Sequence, residues 1–165
     1  MGAIFRLRNL LQEVKNWQRL SQKEEGHAWD TFYQLFDFEP SIENFPGIRT
    51  SLPQKKFSIT KYFSEHAPLD KLENLALVLF DSISEPGQRF YALDWQHQCY
   101  DFDPRQEMDR DEFGEWIIPI LPNGDYYIFL TKDFRNVWFG HPWEETITLI
   151  GHDLVKQAEI LGATI

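Results

Sequence analysis

The sequence predicts an α+β fold, a mainly antiparallel sheet of about five to seven strands with helices packed against it. Three observations carry that expectation. Apolar residues recur at helical spacing in separate stretches near the start, the middle and the end of the chain. Between about 89 and 150, short aromatic and β-branched runs alternate with turn residues instead. The connections between those runs are short, which favours antiparallel neighbours over crossovers.

Residues 4–23 read as an amphipathic helix, with Ile4, Leu7, Leu10, Leu11, Val14 and Trp17 at helical spacing and Arg6, Arg8, Lys15 and Arg19 around them. Gln22 to Gly26 is polar and ends in glycine, a stop and hinge that divides the chain into a 1–26 extension and a single 27–165 domain. The extension is expected to dock on the body or self-associate, because its basic excess is too small for strong lipid attraction. Trp29, Phe32, Tyr33 and Phe36 then place a short core-facing helix at 28–36. Pro40, Pro46, Gly47 and Pro53 mark a long loop with apolar anchors at Phe38, Phe45 and Ile48, a type of loop that packs over a sheet edge or lines a site.

Phe57 to Thr60 alternates as a strand. Leu69, Leu72, Leu75, Ala76, Leu79, Phe80 and Ile83 define a helix over about 69–84, ended by Pro86-Gly87. Strands are expected at 89–95, 99–103, 116–121, 126–131, 137–140 and 146–150. Pro122-Asn123-Gly124-Asp125 is a strong turn signal, so 116–121 and 126–131 should form a hairpin. A terminal helix rests on Leu154, Val155, Ala158 and Leu161.

Size and composition bound the function. A chain of 165 residues fits one domain and buries roughly 70% of its unfolded surface, so it needs no disulfide or metal to hold a core. Cys99 is the single cysteine, which excludes an intramolecular disulfide and makes a reducing cytoplasm the natural compartment. No apolar run is long enough to span a bilayer, and the N-terminus lacks the apolar stretch of a signal peptide. The net charge is −10. Such a body repels nucleic-acid phosphates and attracts a basic protein partner.

Two aromatic segments carry polar groups that strand formation does not require: Leu93-Asp94-Trp95-Gln96-His97-Gln98-Cys99-Tyr100, and Gly124 to Leu130 followed by Phe139-Gly140-His141-Pro142-Trp143-Glu144. On a regular strand, His97 and Cys99 would share a face and offer two metal ligands, with His141 and Glu144 as further candidates. The spacing matches no standard zinc pattern, and a buried, inert cysteine is the simpler expectation. Cysteine catalysis would need a thiolate beside a histidine, whereas the neighbouring carboxylates raise a thiol pKa. The acidic run from Asp101 to Glu115 fails as a calcium loop, because Gln106 falls where the turn demands glycine. In Gly140-His141-Pro142-Trp143-Glu144, proline fixes a bend after a strand, and His141 is either a ligand contact steadied by Glu144 or a satisfied corner histidine. Phosphate-cradling glycine loops, a nucleophile elbow and a His-Glu-x-x-His motif are absent from the sequence.

The strings Phe36-Asp37-Phe38-Glu39-Pro40, Pro46-Gly47-Ile48, Tyr91 to His97 with Cys99-Tyr100, Gly124 to Leu130, Asp133-Phe134 and Gly140 to Glu144, with Trp29, Thr146 and Gly151, occur in the order of a known bacterial family. The sequence resembles that uncharacterised family, domain of unknown function DUF2716, over about residues 28–160. It departs from the family at Arg135-Asn136-Val137-Trp138, where a glycine-containing turn is usual. The resemblance implies a single domain and no particular activity.

The reading that follows is a protein of unknown function acting as a non-catalytic cytoplasmic binding module, with an immunity-protein-like profile and a basic protein partner. Trp95, Tyr100, Tyr126, Trp138 and Trp143 are its aromatic anchors. The alternative is a metal-dependent or Cys/His hydrolase using the 94–99 and 141–144 segments. Neither reading names a cofactor. The candidate binding residues are Asp94, Trp95, His97, Cys99, Tyr100, Asp125, Tyr127, His141, Trp143 and Glu144. Asp94, His97, Cys99, Asp125, Tyr127, His141 and Glu144 are expected to converge in one pocket at one end of the sheet.

Overall fold

The computed structural model describes residues 15–64 and 67–165. Among these residues seven strands form one antiparallel sheet: β1 (Gln18–Arg19), β2 (Gln54–Ser58), β3 (Phe90–Asp94), β4 (Tyr100–Phe102), β5 (Tyr127–Thr131), β6 (Val137–His141) and β7 (Thr146–Ile150). Their spatial order is β1-β4-β3-β5-β6-β7-β2. Among the described residues three α-helices pack against the sheet, α1 (Gln22–Phe36), α2 (Leu69–Ser82) and α3 (His152–Ile160), and a 3₁₀ turn follows β2 at Thr60–Phe63. The expected α+β class is the observed one.

The sheet is covered on both faces. Phe80, Phe90, Phe102, Phe129, Trp138 and Leu149 belong to a core shared with α2 and α3. Tyr91, Leu93, Ile128, Leu130, Val137 and Phe139 belong to a second core shared with α1 and the loop that follows it. Every residue of β3, β6 and β7 is consequently buried. Antiparallel sheets usually leave one face to water; here the aromatic content is used to seal both.

The start of the chain differs from the expected helix. Residues 1–14, which carry most of that helix, lie outside the described residues. Beyond them Gln18 and Arg19 pair with Asp101 and Tyr100 as an edge strand. Trp17 stacks on Phe102 with ring centroids 4.6 Å apart, while Leu20 enters the other core. The next helix begins at Gln22, so Gly26 lies inside α1 and is not a hinge. Ser21 caps α1 by accepting the Glu24 N–H, and Glu24 and Glu25 sit in the first turn where the helix dipole favours them. Ala28, Phe32 and Phe36 form the buried stripe, and Tyr33 faces out.

Residues 116–121 do not form the expected hairpin strand. Trp116 makes one isolated bridge to Arg110, and the rest is irregular. Pro119 lies inside the run and removes a ladder donor there, and Pro122 ends it. The segment is nonetheless core: Trp116, Ile118 and Ile120 plug the α2/α3 side. The β5–β6 turn, where the sequence departs from the family it resembles, is closed without glycine. Phe134 takes a left-handed φ of 62°, and Asp133 Oδ1 accepts the Thr131 hydroxyl at 2.6 Å and the Arg135 N–H at 3.0 Å.

Candidate functional site

The register brings the candidate segments to one end of the sheet. Asp94 of β3 lies opposite Tyr127 of β5, and Tyr127 lies opposite Gly140 of β6. His141, next in line, pairs with Thr146 at the start of β7. Alternation then divides the residues between the two faces. Asp94 follows Phe90 and Ala92 onto the α2/α3 face, and Tyr127 joins it there beside Phe129. His141 follows Val137 and Phe139 onto the α1 face. The expected single pocket is therefore two corners back to back, with the sheet between them.

On the α2/α3 side, Asp94, His97 and Asp125 meet, with ligand-type atoms all within 4.8 Å of one another. Asp94 ends its strand and Oδ1 accepts the N–H groups of Gln96 and His97 at 3.0 and 3.2 Å, which turns the chain sharply. That turn sets His97 Nδ1 at 3.2 Å from the same oxygen. Asp125 Oδ1 accepts the Tyr126 N–H at 2.8 Å, and Oδ2 lies 4.0 Å from His97 Nδ1. Both aspartates are buried, at 9% and 4% exposure, while the His97 side chain is 72% exposed. Burial pushes the Asp125 carboxyl up to about 6; the Tyr126 N–H opposes this and the charge of Asp94 adds to it. Burial, then the charges of Asp94, Asp125 and Glu115, pushes the Tyr127 phenol up to about 12.

Cys99 does not join this corner. Residues 95–99 form a turn, not a strand, so His97 and Cys99 do not share a face. The thiol is wholly buried in the α1-side core, with Sγ 3.4 Å from the Asp94 carbonyl oxygen. Burial pushes it up to about 12, which makes it a neutral packing group at physiological pH. Tyr100 packs edge-on to Trp17, with centroids 6.2 Å apart, in the next strand over.

On the α1 side, His141 is completely buried. Its Nδ1 accepts the Glu144 N–H at 3.0 Å, so the neutral ring carries its proton on Nε2, 3.5 Å from the Tyr126 hydroxyl. Burial lowers the imidazole to about 4; Glu144 opposes the shift and Lys56 adds to it. The Tyr126 hydroxyl accepts the Ser41 N–H at 3.0 Å and donates to the Ser41 carbonyl oxygen at 3.1 Å, clamping the loop onto the sheet. Glu39 N–H donates to Gly47 O at 2.7 Å to close that loop; Gly47 has φ 75°, and a Cβ there would lie 2.7 Å from Glu39 O. Glu144 Oε1 accepts from Lys56 Nζ at 2.7 Å, and Oε2 accepts the Thr146 hydroxyl at 3.0 Å.

Aromatic rings surround this pair. Trp143 and Trp95 each meet Tyr126 edge-on, at 5.2 and 5.8 Å, and Phe45 meets His141 at 4.8 Å. Trp95 Nε1 donates to the Tyr33 hydroxyl at 2.9 Å. Tyr33, Phe45 and Trp143 are 38–44% exposed, so a buried His–Tyr floor carries an exposed aromatic rim. Trp138, expected as a surface anchor, is completely buried in the other core. Tyr126, also expected as an anchor, is completely buried and serves as the floor, whereas Ser41, Phe45 and Tyr33 were not among the expected site residues. The helical spacing of Tyr33 and the apolar Phe45 in a proline-rich loop were their sequence signals.

The architecture defines an antiparallel α+β domain with a carboxylate–imidazole corner and an aromatic corner at one end of its sheet. Residues 19–155 match the family described as "Protein of unknown function (DUF2716)", and the chain belongs to that family. It is 36% identical over 150 residues to "Uncharacterized protein YxiI" of Bacillus subtilis (strain 168), a match spanning 87% of this chain and 92% of that protein. A comparison with solved structures gave no match. Both corners lie inside the matched span. No helix among the described residues is long and apolar enough to cross a membrane.

Proposed function

We propose that this chain is a non-catalytic protein-recognition module of the cytoplasm that takes a basic protein partner at its aromatic corner. The observation that carries this reading is the half-exposed rim of Tyr33, Phe45 and Trp143, with Trp95 beside them, fixed on the buried Tyr126–His141 floor. Tyrosine and tryptophan held rigid before binding lose little side-chain entropy on contact and serve as anchors. Asp37, Glu39 and Glu43 on the adjoining loop, in a chain of net charge −10, supply the field that steers a basic partner. The pair that a Cys/His hydrolase would draw from these segments is tied down: burial keeps the Cys99 thiol protonated and His141 neutral.

The test is a photo-crosslinking amino acid in place of Trp143 in the intact chain expressed in cells. The expected product is a crosslink to a protein of basic isoelectric point, weakened by Trp95→Ala and by added salt. A crosslinking pattern at 143 no different from that of the same amino acid at exposed Val78 on α2 would remove the reading.

A further inference from the structure

We propose that Asp94, His97 and Asp125 bind a divalent transition-metal ion of the zinc or manganese class, independently of the aromatic corner. Two carboxylate oxygens and one imidazole nitrogen suit ions of hard to borderline character. His97 Nδ1 stands 3.2 Å from Asp94 Oδ1 and 4.0 Å from Asp125 Oδ2. Tetrahedral ligands at about 2.1 Å from a metal lie about 3.4 Å from one another, so a rotation of the exposed His97 ring closes the difference.

The two buried aspartates themselves point to a cation. Asp125 Oδ1 takes the Tyr126 N–H, whereas Oδ2 accepts no hydrogen bond among the described residues and is turned toward His97 Nδ1. Asp94 likewise receives its donors on Oδ1, with none on Oδ2 among the described residues. The two side chains lie in hydrogen-bonding contact with each other, which together with burial raises the Asp125 carboxyl. Other buried carboxylates in this protein are treated differently. Asp101 is met by Arg89 at 2.8 Å and by Lys132 at 2.7 Å, and Glu73 by Arg110 at 3.2 Å. Asp103 takes the Arg105 N–H on Oδ1 at 2.9 Å and the Gln106 amide on Oδ2 at 3.5 Å. Among the described residues no lysine or arginine forms an ion pair with Asp94 or Asp125; only His97 does. Buried carboxylates are paired or coordinate metals, and a bound cation would supply this pair with its missing charge.

The corner is also built to hold an ion in place. The Asp94 turn and the Tyr126 N–H fix the carboxylates from the backbone, and the exposed His97 provides the entrance. Cys99 stays outside the ligand set, because its Sγ is turned to the Asp94 backbone carbonyl in the core. Three protein ligands leave coordination positions for water or a ligand atom.

The experiment uses full-length chain purified without a metal-affinity column and dialysed against chelator, titrated with Zn²⁺ and separately with Mn²⁺ in a calorimeter. The expected result is saturable one-to-one uptake of at least one of the two ions. Affinity should fall at least tenfold in His97→Ala and in Asp125→Asn, which keeps an acceptor for the Tyr126 N–H. Mn²⁺ should broaden the His97 ring resonances in NMR and leave those of His141 sharp. No saturable uptake of either ion, or uptake unchanged in both variants, overturns the proposal. Loss of Trp143 crosslinking bears only on the partner reading, so the two fail separately.

Discussion

Two histidines stand at the same end of one sheet and meet opposite fates. His97 projects from a turn, 72% exposed on its side chain, beside two buried carboxylates that no lysine or arginine among the described residues pairs with. His141 is fully buried, with Nδ1 accepting the Glu144 N–H and Nε2 facing the Tyr126 hydroxyl. The first corner is open to solvent through His97, and the proposed cation site rests on that opening. The second is satisfied internally, and its use is to hold aromatic rings in position. The lesson is that histidine beside acid residues has no fixed meaning. Strand parity and burial decide whether the ring is available or structural.

The largest expected effect separates the two corners by stability. His141→Ala removes a buried ring and strips the Glu144 N–H of its acceptor, so it should cost about 2–4 kcal/mol in urea unfolding. His97→Ala should change stability by less than about 0.5 kcal/mol in the same measurement, because the ring is exposed. Equal losses would break the contrast.

The next effect is on pH. His141 is neutral in the folded chain until about pH 4, against an ordinary value of 6.5. Between those limits the unfolded chain binds a proton that the folded chain does not, so the unfolding free energy falls as pH drops from 6.5 toward 4. Above 6.5 this group contributes no slope. The full loss amounts to about 3 kcal/mol at the lower limit. Unfolding of the wild type and of His141→Gln followed across this window should show a shallower slope in the variant. Parallel slopes would mean that the imidazole is not kept neutral by burial.

The smallest effect sharpens the account of the aromatic rim. Tyr126→Phe keeps the ring and removes the hydroxyl that clamps Ser41, so it should cost about 1–2 kcal/mol. Hydrogen exchange should rise at the Ser41 amide, while Asp94 and Asp125 keep their geometry. Unchanged exchange at that amide would show that the loop is held by Phe38 and Ile48 alone.

Much of this was legible in the sequence. The α+β class, the helix at Leu69–Ser82, the strand at Thr146–Ile150 and the terminal helix each follow from periodicity that local packing then satisfies. Other parts were legible in hindsight. Ser21-Gln22-Lys23-Glu24 is a helix-start signal, and it competes with the apolar spacing that carries the expected first helix through to residue 23. Pro119 inside the 116–121 run argued against a strand even though four of its residues are Ile or Leu.

The sequence by itself determined the α+β class and the candidate residues, with Asp94, Asp125 and His141 expected at one end of a sheet. Only the tertiary structure decided how they are shared out. A side chain's face depends on the register and on where each strand stops, and a shift of one residue moves it across the sheet. The turn after Asp94 sends Cys99 into the core and His97 into water, and the last residue of β6 puts His141 beneath Tyr126. Availability, charge and proton affinity then follow from burial, which is a property of the packed molecule and not of any single stretch of chain.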